Sequence, residues 1–103
     1  MIVRLHVDEF QPGEFDYRVS HEGLDLFTDA GLASLSACLL AALDGLGRDA
    51  LAAEVAFKGV VSGTYPLDSI AAMPAQIAEH ARNTTEAIED VLRQAGGLGR
   101  SSI

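Results

Sequence analysis

Arginine, histidine and aspartate alternate near the start of the chain as Arg4, His6 and Asp8, and Arg18 follows ten residues after Asp8. An imidazole set between a guanidinium and a carboxylate can work as an acid–base group, because those neighbours tune a proton affinity that already lies near neutrality. Residues two apart on a strand share one face, so an extended segment here would group the three. Such chemistry needs a concave or covered setting, and no segment of the sequence is marked as a cover. The expectation is an exposed, salt-bridged sheet face.

Other reactive residue types are sparse. His6, His21 and His80 are the three histidines, and Cys38 is the single cysteine. Adjacent side chains point apart, so His21-Glu22 and Glu79-His80 make no ligand pair, and neither a metal nor another cofactor is expected. One cysteine allows no internal disulfide. Cys38 lies in an uncharged stretch with no base within a turn, which leaves its thiol without an activating partner. Lys58-Gly59-Val60-Val61-Ser62-Gly63-Thr64 resembles a phosphate loop only superficially, since the lysine precedes the glycines that would cradle a phosphate. Asn83-Thr84-Thr85 matches a glycosylation sequon but falls within a helical pattern. Glu86, Glu89 and Asp90 read as a solvated helix face.

These residues must be positioned by a small scaffold. The 103 residues and 10.8 kDa suit one domain, expected over 1–97, with 98–103 as a frayed C-terminal tail. Apolar residues make up 49% and charged residues 21%, a globular balance that argues against a disordered chain. The net charge is −8. No basic patch is visible, which argues against direct nucleic-acid binding and against docking to an anionic membrane. The first 51 residues hold nine acids against three bases. Asp8, Glu9, Glu14, Asp16, Glu22 and Asp25 crowd into one hairpin region there, a candidate docking face for something basic. The N-terminus lacks the pattern of a signal peptide, and the longest uncharged run, Ala30 to Leu43, is too short to span a bilayer; a cytoplasmic chain is expected.

Alternation marks a strand over 2–9, with Val3, Leu5 and Val7 inward, and a second carrying Tyr17 and Val19 inward. Charge matching across the hairpin favours a loop over 11–15 that sets Val7 opposite Val19, Asp8 opposite Arg18 and Arg4 opposite Glu22. A third strand spans 24–28 after a turn at His21-Glu22-Gly23. Thr28 or Asp29 should cap a helix running to about Leu46. That helix is apolar nearly all round, so it must be covered on more than one side, by its own chain or by a second copy. Arg48 to Ala53 could add a helical turn. A strand follows over 55–61, then a turn at Ser62-Gly63-Thr64, with Tyr65-Pro66-Leu67 as a possible edge strand. Asp68 could cap a turn, and Pro74 suits the first position of a last helix. Ile77, Ala81, Thr84, Ile88, Val91 and Ala95 would line its inner face, Glu89 would pair with Arg93, and Gly96-Gly97 would end it.

The expected fold class is α+β: an antiparallel sheet of four to five strands in the order βββαβ(β)α, with two long helices packed on one face. The expected function is a small acidic interaction or regulatory module without enzymatic activity. It would be homodimeric through Ala33, Ala37, Leu40 and Ala41, with the acidic hairpin free for a basic protein partner. The alternative is a small-ligand protein or minor enzyme whose pocket between sheet and helices uses Tyr65, His80 and Thr84.

Overall fold

A computed structural model describes the backbone of residues 1–101 and the side chains of 1–95. Five strands and three helices follow in the order β1 (Ile2–Gln11), β2 (Glu14–His21), β3 (Leu24–Leu32), α1 (Leu35–Gly45), β4 (Ala52–Phe57), β5 (Val60–Pro66), α2 (Leu67–Ala72) and α3 (Pro74–Ser101). The sheet order is β3-β2-β1-β4-β5. All neighbouring pairs are antiparallel except β1 with β4, which run parallel. The α+β class therefore holds, but the sheet is mixed rather than antiparallel. The cause is the route of the chain: α1 carries it back over the sheet, so β4 lies beside β1 in the same direction. β4 is AAEVAF, which is apolar at every position but Glu54, as suits an interior parallel strand.

The inner face of the sheet carries the core. Val3, Leu5, Val7, Phe15, Tyr17, Val19, Ala53, Val55 and Phe57 are buried against Leu35, Cys38, Leu39 and Ala42 of α1, Ile70 of α2 and Ile77 and Ala81 of α3. Phe15 stacks on Phe57 and Tyr17 meets Phe27 edge-on, each pair 6.3 Å between centroids. Thr85 Oγ1 donates to the Phe57 carbonyl at 2.9 Å, tying α3 to the end of β4.

The β1–β2 register differs from the charge-matched one. Leu5 faces Val19, His6 faces Arg18, Val7 faces Tyr17 and Asp8 faces Asp16. The turn is the tight Pro12-Gly13 one, with Gln11 opposite Glu14, and an irregularity between Glu9 and Gln11 absorbs Phe10. One extra residue on one strand shifts the pairing by one and keeps the apolar sets on one face, so a long loop is unnecessary. Similarly, the expected strand over 55–61 is cut by a turn at Lys58-Gly59, whose φ angles of +52° and +80° match the left-handed pair that a two-residue hairpin requires. Ser62, Gly63 and Thr64, expected as a turn, are part of β5.

The uncharged run 30–43 is not one helix. Thr28 and Asp29 pair with Arg18 and Tyr17, and β3 continues to Leu32. Asp29 Oδ1 accepts from the Ala30 N–H rather than from a helix turn. The cap is Ser34, whose Oγ accepts from the Ala37 N–H at 3.1 Å. Strand pairing has overridden the earlier cap signal. Ala33 is consequently exposed before the helix, and Leu40 on α1 is 43% exposed, so the run is not covered from every side. At the far end of α1, Gly45 lets β3 approach: a methyl there would sit 2.7 Å from the Phe27 ring. Arg48 to Ala53 adds no helical turn; β4 starts within it.

α3 starts at Pro74 as expected but runs through Gly96 and Gly97 to Ser101. The expected frayed tail otherwise lies outside the described residues. Along α3, Ile77, Ala81 and Thr85 are buried, whereas Ile88, Val91 and Ala95, expected inward, are exposed because the helix outruns the sheet beneath it. Arg93 pairs with Asp90, three residues back, rather than with Glu89.

Candidate functional site

All three helices pack on the inner face of the sheet, so the outer face stays open. Alternation along β1, β2 and β4 sends Arg4, His6, Asp8, Asp16, Arg18, Ser20 and Glu54 to it, the acid–base row noted in the sequence. The concavity missing from the sequence exists here as two shallow grooves. One, of about 380 Å³, runs beside Arg4, His6, Arg18, Ser20, Asp25 and Glu54. The other, of about 310 Å³, lies beside His6, Asp8, Asp16, Arg18 and Asp29. His6 borders both.

Ser20 lines the first groove and is buried, at 6% exposure, although it does not face the helices. The longer side chains of Arg4, His6 and Arg18 line the same groove. His6 Nε2 and Ser20 Oγ are 3.0 Å apart, which fixes the imidazole over the groove floor. Arg4 Nε approaches Glu54 Oε1 at 2.5 Å across the parallel pair, and Arg18 Nε lies 3.6 Å from Asp25 Oδ1 across the β2–β3 pair. The Arg4 contact is an ion pair without hydrogen-bond alignment, since Glu54 Oε1 accepts no hydrogen bond. Both guanidiniums thus have an acid neighbour through Nε, and both side chains stay about half exposed, at 53% for Arg4 and 49% for Arg18.

Burial, then Arg18 and Arg4, hold the His6 pKa below its usual 6.5, against the opposing pull of Asp25 and Asp8. The folded protein therefore resists a proton that the unfolded chain accepts. Stability is expected to fall as pH drops through about 6.5 toward the folded value, because the unfolded state binds more protons in that window. Urea midpoints at about pH 7.5 and about pH 5.5 should draw closer together in His6→Gln. An unchanged gap would mean that another group carries the dependence.

Asp8 and Asp16 stand directly opposite one another with no cation between them in the register. Like charges in that position oppose folding. Of the expected acidic face, Asp8, Asp16 and Asp25 gather on or beside the grooves, and Glu22 borders the first. Glu14 sits at the Pro12-Gly13 turn opposite Gln11, and Glu9 reaches the Gly13 N–H at 3.3 Å, away from that cluster. The sequence pattern puts Ser20 outward beside Asp16 and Arg18 without joining it to this row, and it gave no sign of Glu54 as a member; their outward position on strands next to β1 was the available signal.

The other candidates are scattered. Tyr65 is half-buried on β5, His80 is exposed and Thr84 half-buried on α3. They lie on the helix side of the sheet, and neither groove touches them. Ala37 and Ala41 are half-buried on α1 beside the exposed Leu40. Cys38 is fully buried, and burial first, then Asp16 and Asp29, push its thiol up to about 11.

Among the described residues, no group of three or more His, Cys, Asp or Glu is placed to hold a metal ion, and no helix is long and apolar enough to cross a membrane. No family model, curated protein or solved structure matches the chain.

Proposed function

We propose that this chain is a small acidic interaction module of the cytoplasm, homodimeric, that docks a basic protein segment along the open face of its sheet and does not bind nucleic acid directly. The observation that carries the reading is Asp8 facing Asp16 beside Asp29 in a groove. An arrangement that costs folding energy is explained if a cation on a partner neutralises it. Arg18 lines the same groove, but it and Arg4 also have Asp25 and Glu54 beside them, so the open face keeps an excess of acid. Homodimer contact involves the open flank of α1, at Leu40 with Ala37, Ala41 and the adjacent Ala33.

The test is Asp16→Asn against an arginine-rich peptide. Removing one of the two facing charges should stabilise the free protein by roughly 0.2–1 kcal/mol and weaken the peptide complex. The wild-type complex should also weaken steeply as salt rises. Binding that ignores both salt and the substitution would remove the acidic face from consideration.

A further inference from the structure

We propose that the first groove binds a small zwitterion, a molecule carrying a carboxylate and an ammonium group a few carbons apart. The carboxylate rests on Arg4 and Arg18, and the ammonium on Asp25 and Glu22. The site is separate from the facing acids Asp8 and Asp16, which line the second groove, and it does not depend on the docking reading.

The ladder registers set Asp25, Ser20, Arg4 and Glu54 in one row across β3, β2, β1 and β4, with Arg18 and His6 in the next row. Neighbouring strands lie about 4.8 Å apart, so the two acids end a row roughly 14 Å long and both arginines arise between them. The two ends are not equivalent. Glu54 is committed, its Oε1 buried at 2.5 Å from Arg4 Nε. Asp25 lies farther off, at 3.6 Å from Arg18 Nε, and it lines the groove together with Glu22 of the neighbouring turn. The β3 end therefore has two carboxylates for one guanidinium.

The arginines have capacity left as well. Each acid approaches at Nε, on the side edge of the guanidinium. The terminal Nη pair is the edge that takes a carboxylate through two parallel hydrogen bonds. The Nε contacts hold the guanidiniums in place ahead of any ligand, which lowers the ordering cost of binding. Both also stand near enough to His6 to oppose its protonation, as groups sharing one groove must.

The mixture of charges discriminates between occupants. A dianion such as phosphate would meet two guanidiniums but three carboxylates in the lining. A basic segment would set its cations against both Nη pairs. A ligand with one charge of each sign satisfies the Nη groups and the surplus acid together, and its net charge of zero meets no repulsion from a chain of −8. Arg4 and Asp25 are two strands apart, about 10 Å between backbones. Their side chains cover part of that gap, which leaves room for a ligand with a few carbons between its charges. Ile2, exposed in the groove wall, offers those carbons an apolar contact.

Proton NMR of the full chain titrated with γ-aminobutyrate and δ-aminovalerate tests the site. The readout is the His6 imidazole, with His80, exposed on α3, as the control. A saturable shift at His6 alone is expected, with a dissociation constant of about 1 mM, as befits a ligand of few atoms in a shallow groove. Butyrate and butylammonium, each lacking one charge, should bind roughly tenfold more weakly or worse. Arg4→Gln and Asp25→Asn should each weaken the zwitterion by a similar factor with wild-type circular dichroism. Asp8→Asn, outside this groove, should leave its affinity unchanged. No saturable shift at tens of millimolar overturns the site, as do equal shifts at His6 and His80, which mark a general salt effect. Butyrate binding as tightly as γ-aminobutyrate, or Asp25→Asn binding as tightly as wild type, overturns the zwitterion.

Discussion

Leu39→Ala is expected to lower the melting temperature by about 10–30 °C, far more than truncation of any exposed side chain would. Leu39 is fully buried on α1, where it and Leu35, Cys38 and Ala42 face the sheet. Cutting it to alanine removes three carbons from the centre of the core of a 103-residue chain. Comparable truncations cost 2–5 kcal/mol, the spread reflecting how far the walls relax. Here the walls are strands held on both sides by their ladders, so little collapse is expected. Against a total stability of roughly 5–15 kcal/mol, such a loss brings the protein close to unfolding at ambient temperature. Leu40→Ala, one position on, serves as the control: Leu40 is 43% exposed, and its loss should shift the melting curve far less. Equal shifts would mean that α1 lies on the sheet by a different face.

Cys38 supplies the second large effect. Its thiol has no solvent exposure and titrates at about 11 rather than 9.0. The elevation alone leaves roughly a hundredfold less thiolate at neutral pH, and the thiolate is the species that reacts. Burial multiplies that protection, because a reagent must wait for the helix to leave the sheet. Native protein should therefore resist a maleimide for hours and react within seconds in strong denaturant. Mass spectrometry after timed quenching would read the difference. Rapid labelling of native protein would place α1 in an open state and would undo the account of the core.

How much of this was visible in the residues divides along a physical line. Period-two alternation gave the inward faces of β1, β2 and β4 correctly, because a side chain must choose a face whatever the strand pairs with. Pro74 marked the start of α3, since a residue without an N–H costs nothing there. The turn at Lys58-Gly59 was a local signal left unread, whereas several other failures are cases where distant contacts decided between locally acceptable options. Phe10 is an ordinary strand residue, and only the register of β2 makes it the extra one. Thr28 and Asp29 are good caps that were claimed by the β2 ladder before a helix could use them. Ile88 and Val91 carry the same pattern as Ile77 and Ala81; what differs is that the sheet stops. The Arg4, His6, Asp8 and Arg18 row was found from sequence, whereas the groove it shares with Ser20 and Glu54 was not, because depth comes from how strands lie side by side.

The parallel pairing of β1 with β4 also sets the order in which the chain can be completed. β2 and β3 follow β1 through turns of two residues, so that meander is assembled from neighbours. The other border of β1 waits for a partner about fifty positions later, at a high cost in loop closure. During synthesis the central strand therefore emerges well before β4 and is finished late, with one row of amides and carbonyls open for the interval. Slow maturation and a need for protection against sticky encounters follow from that delay, and they would weigh most heavily wherever the nascent chain is abundant.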